Sequence, residues 1–201
     1  AVVEVQAAGA EDPGGHVELP APVVDDRPAE EVLGPAVHLL GDLFVISALI
    51  FLIWSFHRGA PYVPSSPAAV EDMLRLADVR AGERMADLGS GDGRLVIAFA
   101  RAGAEAHGFE ANPVLVWWAR RTIRRAGLEG RARIHWMSFW NADLSPFDVI
   151  TIFGIDHIMA PLERKLRQEL KPNARVVSNA FPFPNWEAKR SGGGVYLYRH
   201  P

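Results

Sequence analysis

From residue 84 onward, short apolar runs alternate with segments whose apolar residues recur at helical spacing. Arg84–Leu88, Glu105–Glu110, Ala132–Met137, Asp148–Phe153 and Arg175–Asn179 are runs of the length and composition of buried strands. Between them, Arg94–Ala102, Pro113–Ala126 and Met159–Leu170 carry the three-to-four-residue rhythm of helices. A helix is also expected from Pro67 to about Asp78, capped by Ser65 or Ser66 and with proline in its first turn. This alternation predicts an α/β fold, an open parallel sheet with right-handed crossovers. The tail "WEAKRSGGGVYLYRH" reads as a hairpin turning on Gly192–Gly194, which adds an antiparallel edge and makes seven strands.

Upstream the pattern changes twice. Residues 1–34 are rich in Ala, Pro, Gly and acids, show no sustained periodicity, and read as a mostly irregular acidic arm. Residues 35–57 contain "AVHLLGDLFVISALIFLIWSF", Ala36–Phe56, whose only polar charge-bearing residues are His38 and Asp42. As a helix this run would be about 30 Å long and apolar on all faces, which predicts a transmembrane helix and a contact with the lipid bilayer. His57, Arg58, Arg75, Arg80 and Arg84 follow the run, whereas only Arg27 precedes it. The positive-inside rule then predicts a single-pass protein of a bacterial inner membrane, with the arm outside and residues 58–201 cytoplasmic. Trp54 would anchor the cytoplasmic interface.

Composition narrows the chemistry. At 201 residues, 49% hydrophobic and 22% charged, the chain can bury one proper core. A net charge of −3 carries no general nucleic-acid signal. The absence of cysteine excludes disulfides, thiolate zinc sites and thiol nucleophiles. Seven histidines lie without ligand spacing, so no metal site is expected.

The densest chemical signal is "ERMADLGSGDGRLVIAFA", Glu83–Ala100. Gly89, Gly91 and Gly93 fall at a strand-to-helix turn, where glycine permits unusual dihedrals and close approach of a ligand to the backbone. Free N–H groups at the helix start favour an anionic group or a polar edge. A dinucleotide fingerprint would place its third glycine where Arg94 stands, and Asp87 and Asp92 would sit awkwardly beside a pyrophosphate. S-adenosylmethionine instead carries an ammonium and a sulfonium and no phosphate. The D-x-G-x-G-x-G pattern, with Ser90 inside it, resembles motif I of class I (seven-β-strand) S-adenosylmethionine-dependent methyltransferases, which have a Rossmann-like fold. Glu110 ends the second strand, 22 residues beyond Leu88, where an acid can bind two ribose hydroxyls. Ala111 and Asn112 lead into the next helix. Ser138, ending "HWMS", stands where an adenine amino group would be met, and Phe139 and Trp140 either flank that ring or belong to the core.

A more specific resemblance rests on "PYVPSSPAAVEDML", "GFEANPVLVWWAR", "LERKL" and "ARVVSNAFPFPNW" together with the glycine motif. From roughly Ala36 to Trp186 the chain resembles a family of membrane-associated class I methyltransferases. Its mitochondrial members are protein-lysine methyltransferases acting on the adenine nucleotide translocase and on the c subunit of ATP synthase, and it has bacterial and archaeal relatives. The resemblance implies S-adenosylmethionine as methyl donor, S-adenosylhomocysteine as product, and a membrane or membrane-adjacent protein as substrate, with association to a membrane complex as a further implication. It also implies that the segment before the first strand helps close the cofactor site, making Tyr62, Pro64 and Ser65 candidates. The chain departs from the family at Ser138, where an acid or amide is usual, and at "IFGIDHIMA" after the fourth strand. Tyr62, Asp156 and His157 are the polar groups expected on the acceptor side. Tyr62 and His157 are candidate catalytic groups, the histidine being either a proton acceptor or an exposed helix-start residue. Phe181, Pro182, Pro184 and Trp186 either wall a channel for a lysine stem or pack the edge hairpin. Two alternatives stay open: a lipid or small-molecule methyltransferase, and a non-catalytic subunit on the same scaffold.

Overall fold

The computed structural model describes residues 37–47, 49 and 63–201, and the chain divides into two compact units at Ala48/Leu49. In the first unit, residues 37–47 form a helix, α1, whose apolar side chains Val37, Leu39, Leu40, Leu43 and Phe44 are all exposed.

This helix corrects the expected membrane span. Among the described residues no helix is long and apolar enough to cross a membrane. Crossing a hydrocarbon core takes about twenty helical residues, and the described stretch 37–47 is eleven. Residues 48 and 50–57 of the expected span, Trp54 among them, lie outside the described residues, as does the acidic arm. Single-pass membrane localisation, with the arm outside and the second unit cytoplasmic, is therefore not upheld.

In the second unit α2 (Pro67–Ala77) precedes the sheet, with Ser66 Oγ accepting from the Ala69 N–H and Pro67 in the first turn. β1 (Arg84–Leu88), α3 (Arg94–Arg101), β2 (Glu105–Glu110), α4 (Pro113–Arg125) and β3 (Ala132–Trp136) follow. Then come β4 (Val149–Phe153), α5 (Asp156–Glu169), β5 (Arg175–Asn179), β6 (Arg190–Gly192) and β7 (Val195–Arg199). The seven strands form one sheet in the order β3-β2-β1-β4-β5-β7-β6. β1 to β5 are mutually parallel, and β7 runs antiparallel to β5 and β6. The sheet is covered on both faces, and β1, β2, β4 and β5 are buried over most of their length. Met73, Phe99, Val116 and Ile123 pack one face, whereas Leu162, Leu166, Phe147 and Trp186 pack the other.

The predicted hairpin is present, closed by Gly193 and Gly194 at φ 62° and 78°, the pair of left-handed residues that a two-residue type I′ turn requires. α5 starts three residues earlier than the apolar rhythm suggests, because its first turn holds the exposed Asp156 and His157. Strand order reverses between β1 and β4, so the carboxyl ends of β1, β2 and β4 open a crevice at that switch point.

Candidate cofactor site

The loop after β1 is held in a conformation that only its glycines make cheap. Gly89, Gly91 and Gly93 have φ of 79°, 54° and 80°. A Cβ on Gly89 would enter open space, whereas one on Gly93 would stand 3.0 Å from Ala119 Cβ on α4. The first glycine therefore leaves the loop approachable, and the third lets α3 and α4 pack together. Beneath the loop Ser90 seats on Gly108 of β2, where any Cβ would meet the serine Oγ at 2.5 Å. The Ser90 hydroxyl is buried with no hydrogen-bond partner among the described residues.

Three carboxylates converge here. Glu110 accepts from the Gly91 N–H at 2.9 Å and from the Asn112 N–H at 2.7 Å, joining the glycine loop to the end of β2. Each carboxylate oxygen retains a second lone pair. Asp92 is bound by the Arg94 guanidinium, with contacts between 2.7 and 3.1 Å. Asp87, at the end of β1, is buried and accepts from Thr151 Oγ1 at 2.7 Å across the β1–β4 pair. Burial pushes its carboxyl up to about 7; the Thr151 bond opposes this, and the neighbouring Glu110 and Asp92 charges add to it.

A wall is formed by the segment ahead of α2. Arg94 Nη1 donates to the Ser65 carbonyl at 2.6 Å, and Asn179 Nδ2 at the end of β5 donates to Ser65 Oγ at 3.3 Å. Tyr62 lies outside the described residues. Beyond Asn179, Ala180 has φ 66°, an uncommon conformation for a residue with a Cβ, and the Ser178 hydroxyl holds the turn by donating to the Phe181 carbonyl.

The remaining candidates divide. Asn112 caps α4, its Oδ1 accepting from Val114 and Leu115, and the Ala111 carbonyl accepts from Trp136 Nε1. Ser138 caps a short 3-10 turn, its Oγ accepting from the Trp140 N–H, with Phe139 half-buried and tilted on Trp140 at 4.8 Å. Asp156 and His157 are exposed on the first turn of α5. Phe181 is half-buried, 6.4 Å from the Phe153 ring at the end of β4, and Pro182 and Pro184 are exposed. Trp186 is buried between Phe183, Tyr198 and the Arg167 guanidinium, so it packs the hairpin side of the sheet instead of walling a channel. Thr151, Arg94 and Asn179 contribute to the site without being singled out by any motif. Their partners are fixed by strand register and tertiary contact; the one local signal is that an arginine follows the third glycine. Among the described residues no cluster of His, Asp and Glu could hold a metal ion.

The ANTKMT methyltransferase domain matches residues 87–190, from the buried Asp87 to the start of β6. The chain belongs to this family. The human ATP synthase c-subunit lysine N-methyltransferase is 40% identical over 126 residues, 63% of this chain and 54% of that protein. The Mus musculus adenine nucleotide translocase lysine N-methyltransferase is 36% identical over 180 residues, covering 81% of this chain and 78% of its own. The chain spans about half the length of the ATP synthase c-subunit methyltransferases it matches. An RNA methyltransferase from Salinibacter ruber, solved with S-adenosyl-L-homocysteine, superposes with a TM-score of 0.64 at 35% identity and covers 69% of this chain and 92% of its own. The fold is thus that of a class I, Rossmann-like methyltransferase with a seven-stranded mixed sheet. As a member of the ANTKMT methyltransferase domain family, the chain has a donor set that fits S-adenosylmethionine. Its loop is open over Gly89, and its charged groups at the loop are mostly carboxylates, suited to a cationic ligand.

Proposed function

We propose that the chain is an S-adenosylmethionine-dependent protein-lysine N-methyltransferase whose substrate is a membrane or membrane-adjacent protein. The observation that carries the donor assignment is the tie between the Gly91 N–H and Glu110, which joins the glycine loop to the ribose-type acid in one cradle. The lysine assignment is supported by the two lysine methyltransferases of this family.

The donor, when bound, supplies a methyl group already activated by its sulfonium. The chain's part is positioning, which can be worth about 7–11 kcal/mol. Glu110 would accept from the two ribose hydroxyls with its remaining lone pairs. Asp87 and the backbone of Gly89–Gly91 would hold the amino-acid end, with the Ser65 segment as its lid. Ser138, its hydroxyl engaged by its own turn, would leave adenine recognition to backbone and to Phe139. On the acceptor side, Phe153 and Phe181 offer an apolar approach at the ends of β4 and β5. Desolvation there would favour the neutral amine that a lysine needs for attack. Trp186 has no part in that approach, and His157, exposed on the first turn of α5, is a candidate proton acceptor.

A second acceptor class has one observation behind it, the RNA methyltransferase named above. Incubating the chain with methyl-labelled donor and, separately, isolated membranes, extracted RNA and extracted lipid decides between them. Label in a membrane protein, with 14-Da increments on a lysine-bearing peptide, is the expected outcome. Label confined to RNA or lipid would overturn the lysine assignment.

A further inference from the structure

α4 is apolar on two faces. Val116, Ala119 and Ile123 form the buried one. Val114, Trp117, Trp118 and Arg121 follow the spacing of a second stripe, and its apolar members are 56%, 64% and 58% exposed. Trp136 at the end of β3 is 64% exposed, and its bond to the Ala111 carbonyl at 3.1 Å sets the indole beside the amino end of α4. Three outward tryptophans and a valine on one rim exceed the scattered apolar exposure of an ordinary surface.

Behind the tryptophans the face is basic. Arg120, Arg121, Arg124, Arg125, Arg131 and Arg133 fall within fourteen residues that contain one acid, Glu129, a local charge of +5 in a chain of −3. Glu129 is bound to Arg124 at 3.1 Å, and Arg120 donates to the Ile134 carbonyl. Arg121 stands 5.8 Å from the Trp117 ring centre. β3 is the outer strand of the sheet, so the face lies on the sheet's free edge.

We propose that this outer face of α4, with Trp136, docks the catalytic unit on an anionic lipid bilayer as a peripheral surface contact. Indole rings favour the headgroup level, and arginines one and two turns behind them match the phosphates in depth and sign. The rings cluster at the amino end of α4 and most of the arginines follow toward its carboxyl end, an order along one helix that suits depth in a bilayer. Docking in this way brings the amino end of α4, three residues past Glu110, to the lipid surface, and with it the carboxyl ends of the strands. The inference does not rest on the lysine assignment, because vesicle binding needs no methyl acceptor.

Sedimentation of the full chain with vesicles of equal parts phosphatidylcholine and phosphatidylglycerol tests it. Because α1 also exposes apolar side chains, the comparison is between the chain and its variants. Trp117→Ser with Trp118→Ser should lower partitioning by roughly tenfold or more. Arg121→Gln with Arg125→Gln should lower it roughly fivefold per arginine, and only on the anionic vesicles. Calorimetric binding of S-adenosylmethionine should be unchanged in the arginine pair, which alters only exposed side chains. Three results would overturn the proposal: no partitioning of the unsubstituted chain, both variants partitioning as the unsubstituted chain does, or substitutions that abolish binding of a single-stranded RNA oligomer while sparing vesicles. Failure on vesicles with methylation of a membrane protein intact would remove the docking face and leave the enzymatic assignment standing.

Discussion

At the scale of single residues, Asp87 is a buried carboxyl whose ionised form a bound cation would favour. Burial, then the Glu110 and Asp92 charges, hold its carboxyl up to about 7 against the bond from Thr151. A ligand with an ammonium and a sulfonium would select the ionised form, so donor affinity should rise with pH up to about 7 and level off above it. Calorimetry in buffers of different ionisation heat should show proton release on binding at pH 6.5 and little at pH 8.5; an unchanged affinity across that range would remove Asp87 from the site. The same shift bears on stability with a definite sign. The native carboxyl binds its proton more tightly than the unfolded one does, so its contribution is full below about 4 and is lost as pH rises through about 7. Asp87→Asn should therefore raise the thermal midpoint more at pH 8 than at pH 5 while weakening donor binding. Glu110→Gln loses the charge and one of its two backbone ties, and should weaken binding roughly tenfold to a hundredfold with the fold retained. The glycine motif and Glu110 were legible because their spacing is local. Thr151, 64 positions from Asp87, and Asn179, 114 from Ser65, were not, since only strand register and tertiary packing bring them together.

At the scale of elements, β2 and β3 share a buried polar device on the sheet's edge. His107 Nδ1 and His135 Nε2 are 2.9 Å apart, His107 Nε2 is 3.1 Å from Glu105, and the rings stack in series with Phe109. A hydrogen bond between two imidazoles needs one of them neutral and accepting. Burial first, then positive neighbours (His107, Arg120 and Arg133 for His135, Arg84 and Arg133 for His107), pushes both below the ordinary 6.5, although Glu105 opposes this at His107. A depressed native value means that stability is present above about 6.5 and is lost as pH falls below it. The thermal midpoint should thus drop between pH 7 and 5, and His107→Gln should flatten the drop; a variant that keeps the full slope would clear the pair. Asp87 acts in the opposite direction over part of that interval, so the two effects separate by variant. Element identity was largely readable: β1, β2 and β5 have the limits their apolar runs mark. The histidine pair was not, because each residue reads alone as an isolated polar position in a strand. For Trp186 the sequence left channel wall and hairpin packing both open, and its contacts with Phe183 and Tyr198 favour the second.

At the scale of the whole chain, composition suggested a span and a tethered domain, whereas among the described residues no helix is long and apolar enough to cross a membrane, and the apolar side chains of 37–47 are exposed. What the second unit contains bears on whether the donor site needs the first. Both core clusters are built from residues between Val70 and Tyr198. The glycine loop, Glu110, the Asp87–Thr151 pair and the Ser65 lid, through Arg94 and Asn179, all lie between residues 63 and 201. A cut after Ala48 keeps these contacts, and it also keeps Tyr62 and the P-Y-V-P-S-S segment that leads into α2. Removing residues 1–48 should therefore leave S-adenosylmethionine affinity within about twofold, inside the roughly 0.5 kcal/mol by which changes distant from a site alter it. Titration calorimetry of the two forms side by side checks this. A tenfold loss on truncation would mean that the first unit supplies part of the donor site. If affinity is kept while methylation of a membrane protein falls, the first unit acts in reaching the substrate, and the chemistry resides in residues 49–201.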